Sequence, residues 1–203
     1  MRVEFILDYR SPYAYLLNTQ MKNLNTTVEY RPIDIVEVMK KVNNQPSPLC
    51  PPKGRYALFD AGRWAQHYGV GFTPNMAFLQ ALREGRFEGT MASRAALAAQ
   101  QLGVFDRLND ALFTAIWAGT DDLVSDEGRA AFLVRHHIAA PDLWRLAEDP
   151  SIRKKLAEDA LEFAERGVFG VPTVFVDSEM FFGNDRLDFI RARLQRKQAG
   201  AAE

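Results

Sequence analysis

Three short stretches of this 203-residue chain carry side chains that could do chemistry: Ser11-Pro12-Tyr13-Ala14, Gly170-Val171-Pro172-Thr173 and Gly183-Asn184-Asp185-Arg186. Pro12 suits the first turn of a helix, which makes Ser11 its natural N-cap. The same corner gathers unpaired N–H groups and the positive end of the helix dipole around a hydroxyl that can itself donate. A thiolate would be stabilised there. A free thiol with a pKa near ~8.5 is only about 3% ionised at pH 7, and lowering that value to about 6.5 ionises roughly three quarters. Capping alone is the simpler role for Ser11. Asn184 or Asp185 could also do no more than cap the following helix, with Arg186 solvated, or could grip the charged end of a ligand. Lys53, in a Pro-rich stretch, reads either as a solvated lysine or as a clamp for a carboxylate, and Asn44 is equally ambiguous. His136-His137 is not expected to hold a metal, because adjacent helical residues diverge and no acidic or cysteine partner has ligand spacing. Cys50 reads as a passive thiol.

The elements that must position these residues follow from periodicity. Residues 2–8 form an apolar strand, 12–24 an amphipathic helix, and 27–31 a second strand closed by Pro32, together a βαβ unit with parallel strands. Residues 33–42 read as a short helix, and 43–54, with Pro46, Pro48, Pro51 and Pro52, as an irregular loop. Helical patterns then run over 55–68, 75–82, 90–102, 105–117, 126–136, 140–148 and 151–165, with Tyr56, Phe59 and Trp64 expected inward on the first of them and Ala57 and Ala61 as further candidates. Residues 173–176 and 180–182 pair as strands, and 185–197 close the chain with Leu187, Ile190 and Leu194 inward. The expectation is an α/β chain of thioredoxin-like layout, in which 1–32 and 168–198 build one discontinuous domain, 33–167 is a large inserted helical domain, and 199–203 is a tail. In redox proteins of that layout a Cys-x-x-Cys pair opens the first helix. Here Ser11 and Ala14 occupy those positions, so a thiol would have to be borrowed, and glutathione is the common soluble source.

The bulk composition narrows the classes of function. Twenty-five basic and 26 acidic residues leave a net charge of -1, which offers neither a nucleic-acid surface nor a polybasic membrane patch. With one cysteine, no intrachain disulfide forms. No signal-like segment or membrane-length apolar run is read, so a soluble, cytoplasmic protein is expected.

Asp8 through Leu16, Asn44 through Gly54, Gly167 through Thr173 and Phe181 through Leu187 resemble the corresponding segments of the kappa-class glutathione transferases and the related bacterial 2-hydroxychromene-2-carboxylate isomerases. The likeness runs over essentially the whole chain. It implies a DsbA-like fold, a homodimer, glutathione as cofactor and a small aromatic carboxylate as substrate. It also implies that Ser11 meets the glutathione sulfur, that Asn44 and Lys53 bind glutathione from the loop, and that Val171 contacts it through its backbone beside a cis Pro172. Asn184, Asp185 and Arg186 match the γ-glutamyl end. Two departures, at Ala14-Tyr15 and Thr73-Pro74-Asn75, are expected to reshape the second-substrate pocket.

Overall fold

The structure, a computed structural model, describes residues 1–199. Four strands, β1 (Val3–Leu7), β2 (Val28–Pro32), β3 (Thr173–Val176) and β4 (Glu179–Phe182), form one sheet in the order β2-β1-β3-β4. β1 lies parallel to β2, with Val3 opposite Val28, and antiparallel to β3, with Val3 opposite Val176. The parallel step needs a crossover, supplied by α1 (Pro12–Met21). β3 and β4 are a hairpin turning through Asp177, which takes a left-handed φ of 56°.

Because side chains alternate along a strand, β1 serves two cores. Val3, Phe5 and Leu7 join Val174 and Val176 against α1 and α10 (Leu187–Ala199). Ile6 and Phe175 point the other way, into a cluster with Ile33, Val38 and Phe163. The helices on that second face are α2 (Ile35–Lys41) and α9 (Pro150–Glu165). Both lie within the segment that reads as an insertion, yet they close one side of the sheet. The remaining helices are α3 (Pro51–Tyr68), α4 (Met76–Arg83), α5 (Met91–Leu102), α6 (Phe105–Trp117), α7 (Asp126–Arg135) and α8 (Leu143–Ala147). Alanines 95, 96, 98 and 99 of α5 are fully buried, which lets α5 lie close to α6, α8 and α9.

Two expectations are corrected. The loop placed at 43–54 ends four residues early, because α3 begins at Pro51 with prolines at its first positions, where a missing N–H costs nothing. Tyr56 and Phe59 are not inward but 61% and 73% exposed; the buried positions of α3 are Ala61 and Ala65. In contrast, Leu187, Ile190 and Leu194 are buried as expected. The tail placed at 199–203 lies outside the described residues except for Ala199, the last residue of α10. Among the described residues no helix is long and apolar enough to cross a membrane.

Glu4, buried on β1, makes ion pairs with Arg2, Arg31 and Arg166 at 3.2, 3.2 and 2.6 Å. Burial pushes its carboxyl pKa up, but the hydrogen bond from Arg166 and the three guanidinium charges outweigh it and hold the group below the usual carboxylate range. A depressed folded value means that Glu4 contributes stability above the unfolded carboxylate pKa of ~4.3 and loses it as pH falls through the lower folded value. Denaturant unfolding should therefore show stability falling with acidification below about pH 4.3 in the wild type and falling less steeply in Glu4→Gln. Equal acid slopes for the two proteins would contradict this.

Candidate active site

The site assembles where β1 ends and α1 begins. The Ser11 N–H donates to Asp8 O at 3.1 Å, which turns the chain out of the sheet. Ser11 Oγ accepts from the Ala14 N–H at 3.2 Å and donates to Val171 O at 3.3 Å. The hydroxyl thus caps α1 and simultaneously joins two segments 160 residues apart. Val171-Pro172 is cis. Among the described residues no hydrogen bond leaves the Val171 N–H.

Beneath Ser11 lies a charge cluster that sequence reasoning missed. Asp8 is fully buried and accepts from the Arg10 N–H at 2.9 Å, Arg10 Nε at 2.9 Å and the Ile35 N–H at 3.0 Å. The Arg10 guanidinium also donates to Asp34 at 2.6 Å. Burial works against the Arg10 charge, but Asp8 and Asp34 raise its pKa and hold it protonated. A Cβ at Gly89 would come within 2.8 Å of Arg10 Nη1, so glycine leaves the room this cluster needs.

On the far side of Pro172, its carbonyl accepts from the Gly183 N–H at 2.9 Å. That bond brings the turn Asn184–Arg186 beside the Ser11 corner. Asn184 is buried, its Nδ2 has no hydrogen-bond partner, and its carbonyl accepts from Tyr68 Oη at 2.7 Å. Asp185 pairs with Arg186 at 2.8 Å. Asn44 Nδ2 donates to Phe169 O at 2.8 Å, tying its loop to the segment before Val171.

Lys53 sits in the first turn of α3, not in a loop. It lines a cavity of about 420 Å³ with Tyr13, Ser47, Pro52, Tyr56 and Ala57. Among the described residues it makes no ion pair. Tyr13 Oη donates to Asp60 Oδ2 at 2.9 Å, and Tyr56 Oη to Asp60 Oδ1 at 3.3 Å. Burial, then the bond to Asp60, raises the Tyr13 pKa, with Asp185 adding to the effect, so this phenol stays protonated. The structure therefore joins Ser11 to Val171 by a direct bond, ties Pro172 to Gly183, the residue before Asn184, and sets Lys53 beside Tyr13, two residues from Ser11.

A DSBA-like thioredoxin domain model matches residues 2–195. The chain belongs to that family. A 2-hydroxychromene-2-carboxylate isomerase of Sphingobium xenophagum is 30% identical to this DSBA-like chain over 199 residues, spanning 95% of the chain and 97% of the relative. A glutathione S-transferase kappa 1 of Caenorhabditis elegans is 25% identical over 97% of the chain and 92% of its own length. A solved 2-hydroxychromene-2-carboxylate isomerase superposes with a TM-score of 0.83 at 24% identity, covering 100% of this chain and 98% of that one. These likenesses place the chain in a DSBA-like branch of isomerases and transferases.

At both positions where a departure was noted, this DSBA-like chain makes contacts within the fold. Ala14 and Tyr15 are buried, and Tyr15 Oη donates to Gly71 O at 2.6 Å. Asn75 is also buried, caps α4 by accepting from the Phe78 N–H, and donates to Ala115 O and Asp121 O. Neither position lines the cavity beside Lys53. A larger groove of about 920 Å³ runs past His136 and His137 and contains none of the candidate residues. There His136 faces Asp121 at 3.1 Å.

Proposed function

We propose that this chain is a glutathione-dependent isomerase that interconverts 2-hydroxychromene-2-carboxylate and trans-o-hydroxybenzylidenepyruvate. The observation that carries the reading is a helix-capping Ser11 hydroxyl, bonded to Val171 O, where redox members of the family carry a thiol. The residues present fit glutathione on three counts. Asn184 Nδ2 is a buried donor without an acceptor among the described residues. Among the described residues the Val171 N–H has no acceptor. Lys53 lines a cavity and, among the described residues, pairs with no carboxylate.

Bound glutathione would supply a thiolate that adds reversibly to the substrate's unsaturated carbon, so that a former double bond can rotate before the thiolate leaves. The protein's task is to hold and ionise that thiol. Ser11 can turn its hydroxyl from Val171 O to the sulfur, a hydrogen bond to charge worth ~1.5–3 kcal/mol. The N-terminus of α1 adds ~0.3–1 kcal/mol, and up to ~2 when partly buried. Val171 offers its N–H to an extended peptide as an added strand would. Asn184 would donate to the γ-glutamyl carboxylate, with Asp185 and Arg186 serving its charged groups. Lys53 would meet the glycyl carboxylate, and Asn44 holds the loop against Phe169. The tyrosine at position 13 is kept protonated beside the cavity.

The likeness to a kappa transferase favours a second reading, conjugation of small electrophiles. A mass balance separates the two. With 2-hydroxychromene-2-carboxylate as substrate, total free thiol should stay constant while the isomer accumulates; stoichiometric loss of thiol would establish transfer instead.

Lys53→Ala should raise the glutathione concentration needed for half-maximal rate by about tenfold while changing the saturated rate little, because a clamp remote from sulfur acts as uniform binding. Steady-state rates against glutathione concentration measure this, and an unchanged dependence would return Lys53 to the solvated surface.

A further inference from the structure

α3 does more than contribute Lys53. Lys53, Tyr56, Ala57 and Asp60 recur at intervals of three and four, so they share one face of the helix. Tyr68, on the last turn, holds Asn184 through its carbonyl at 2.7 Å. One helix therefore carries the cation at one end of the candidate site and supports the γ-glutamyl turn at the other, about 22 Å away at 1.5 Å per residue. Between them, among the described residues, the polar link from α3 to the Ser11 helix is Asp60. Its two oxygens accept separately from Tyr13, on α1, and from Tyr56, on α3 itself. Tyr13 and Tyr56 also form the walls of the cavity that Lys53 lines.

We propose that Asp60 is a positioning residue for thiol selection: by latching α3 to Tyr13 it sets the distance between Ser11 and Lys53, and so selects thiols that carry a carboxylate beyond the cysteine. The inference rests on the glutathione reading above. Without the latch, α3 is still held by buried Ala61 and Ala65, but its N-terminal turns lose their polar tie to α1. Lys53 stands two helical turns from Asp60, so a small change in the helix's tilt moves the ammonium relative to Ser11. The sulfur end, built from Ser11 and Val171, contains no atom of α3 and is unaffected.

The test compares glutathione with γ-glutamylcysteine, which has the same thiol and γ-glutamyl group but lacks the glycyl carboxylate. Binding is followed by calorimetry. In Asp60→Ala the Kd for glutathione should rise about three- to tenfold, the scale of one lost hydrogen bond, while the Kd for γ-glutamylcysteine stays within about twofold of wild type. Asp60→Asn, which keeps one acceptor oxygen, should recover part of the loss. Adding Asp60→Ala to Lys53→Ala should weaken glutathione binding no further, because the latch works through the lysine. Should Asp60→Ala fold poorly, Tyr13→Phe removes the same bond while keeping the ring and should show the same selectivity. Equal weakening toward both thiols, additivity with Lys53→Ala, or no weakening would each overturn the latch while leaving the glutathione reading intact. A wild type that binds neither thiol would overturn both.

Discussion

Ser11→Ala should, under the proposed glutathione mechanism, slow isomerisation about ten- to a hundredfold at saturating glutathione, since that mechanism gives Ser11 a hydrogen bond of ~1.5–3 kcal/mol to charged sulfur in the rate-limiting step. The fold should survive, because removing a helix N-cap costs ~1 kcal/mol against a stability of roughly 5–15 kcal/mol. Ser11 has two protein partners, the Ala14 N–H and Val171 O. Alanine therefore leaves one donor and one acceptor unpaired at a half-buried corner. The same variant should move the thiol titration of bound glutathione upward, toward the ~8.5 of a free thiol. Saturated rates, thiolate absorbance against pH and a thermal melt on one preparation separate the roles. A lowered melting temperature with an unchanged rate would reduce Ser11 to a cap.

Asp8→Ala should be among the most damaging single changes in the chain, destabilising it by about 3–5 kcal/mol, because it leaves a partly buried guanidinium with too little compensating charge. Asp8 accepts from the Arg10 N–H, the Arg10 guanidinium and the Ile35 N–H, and among the described residues Asp34 is the carboxylate left to Arg10 without it. The Ser11 N–H bond to the Asp8 backbone carbonyl survives the substitution, but the side-chain bond to the Arg10 N–H, one residue before Ser11, is lost with the carboxylate. Denaturant unfolding checks the magnitude. Adding Arg10→Met should recover part of the loss, since removing both charges costs less than stranding one. A loss under about 1 kcal/mol, or no recovery in the double variant, would show that Asp34 alone satisfies Arg10.

The strands were legible because β1 and β3 are short apolar runs bounded by polar turns, and Ser11 because a serine before proline is a helix-start signal with a physical cause. The start of α3 was hidden by the four prolines between 46 and 52, which read as a loop although two of them fill helix positions that need no N–H. Tyr56 and Phe59 misled because a three-residue spacing fits two neighbouring stripes of one helix; the inner one is taken by Ala61, which was among the inward candidates, and by Ala65, which was not. The bond between Ser11 and Val171 spans 160 residues; family likeness set both residues against one ligand but did not pair them. Tyr13 and Asp60, 47 residues apart, had no such pointer. Asp8 and Arg10 looked like an ordinary polar turn; their importance appears only when the Ile35 N–H and Asp34 close around them.

The central claim is that this DSBA-like chain works through a thiol it does not own. Its most direct test is the initial rate of 2-hydroxychromene-2-carboxylate conversion with glutathione, with S-methylglutathione, which keeps every binding group except the free thiol, and with neither. The account predicts rapid conversion with glutathione alone, and inhibition when S-methylglutathione is added to it. Equal conversion in all three conditions, or none with glutathione, would contradict it.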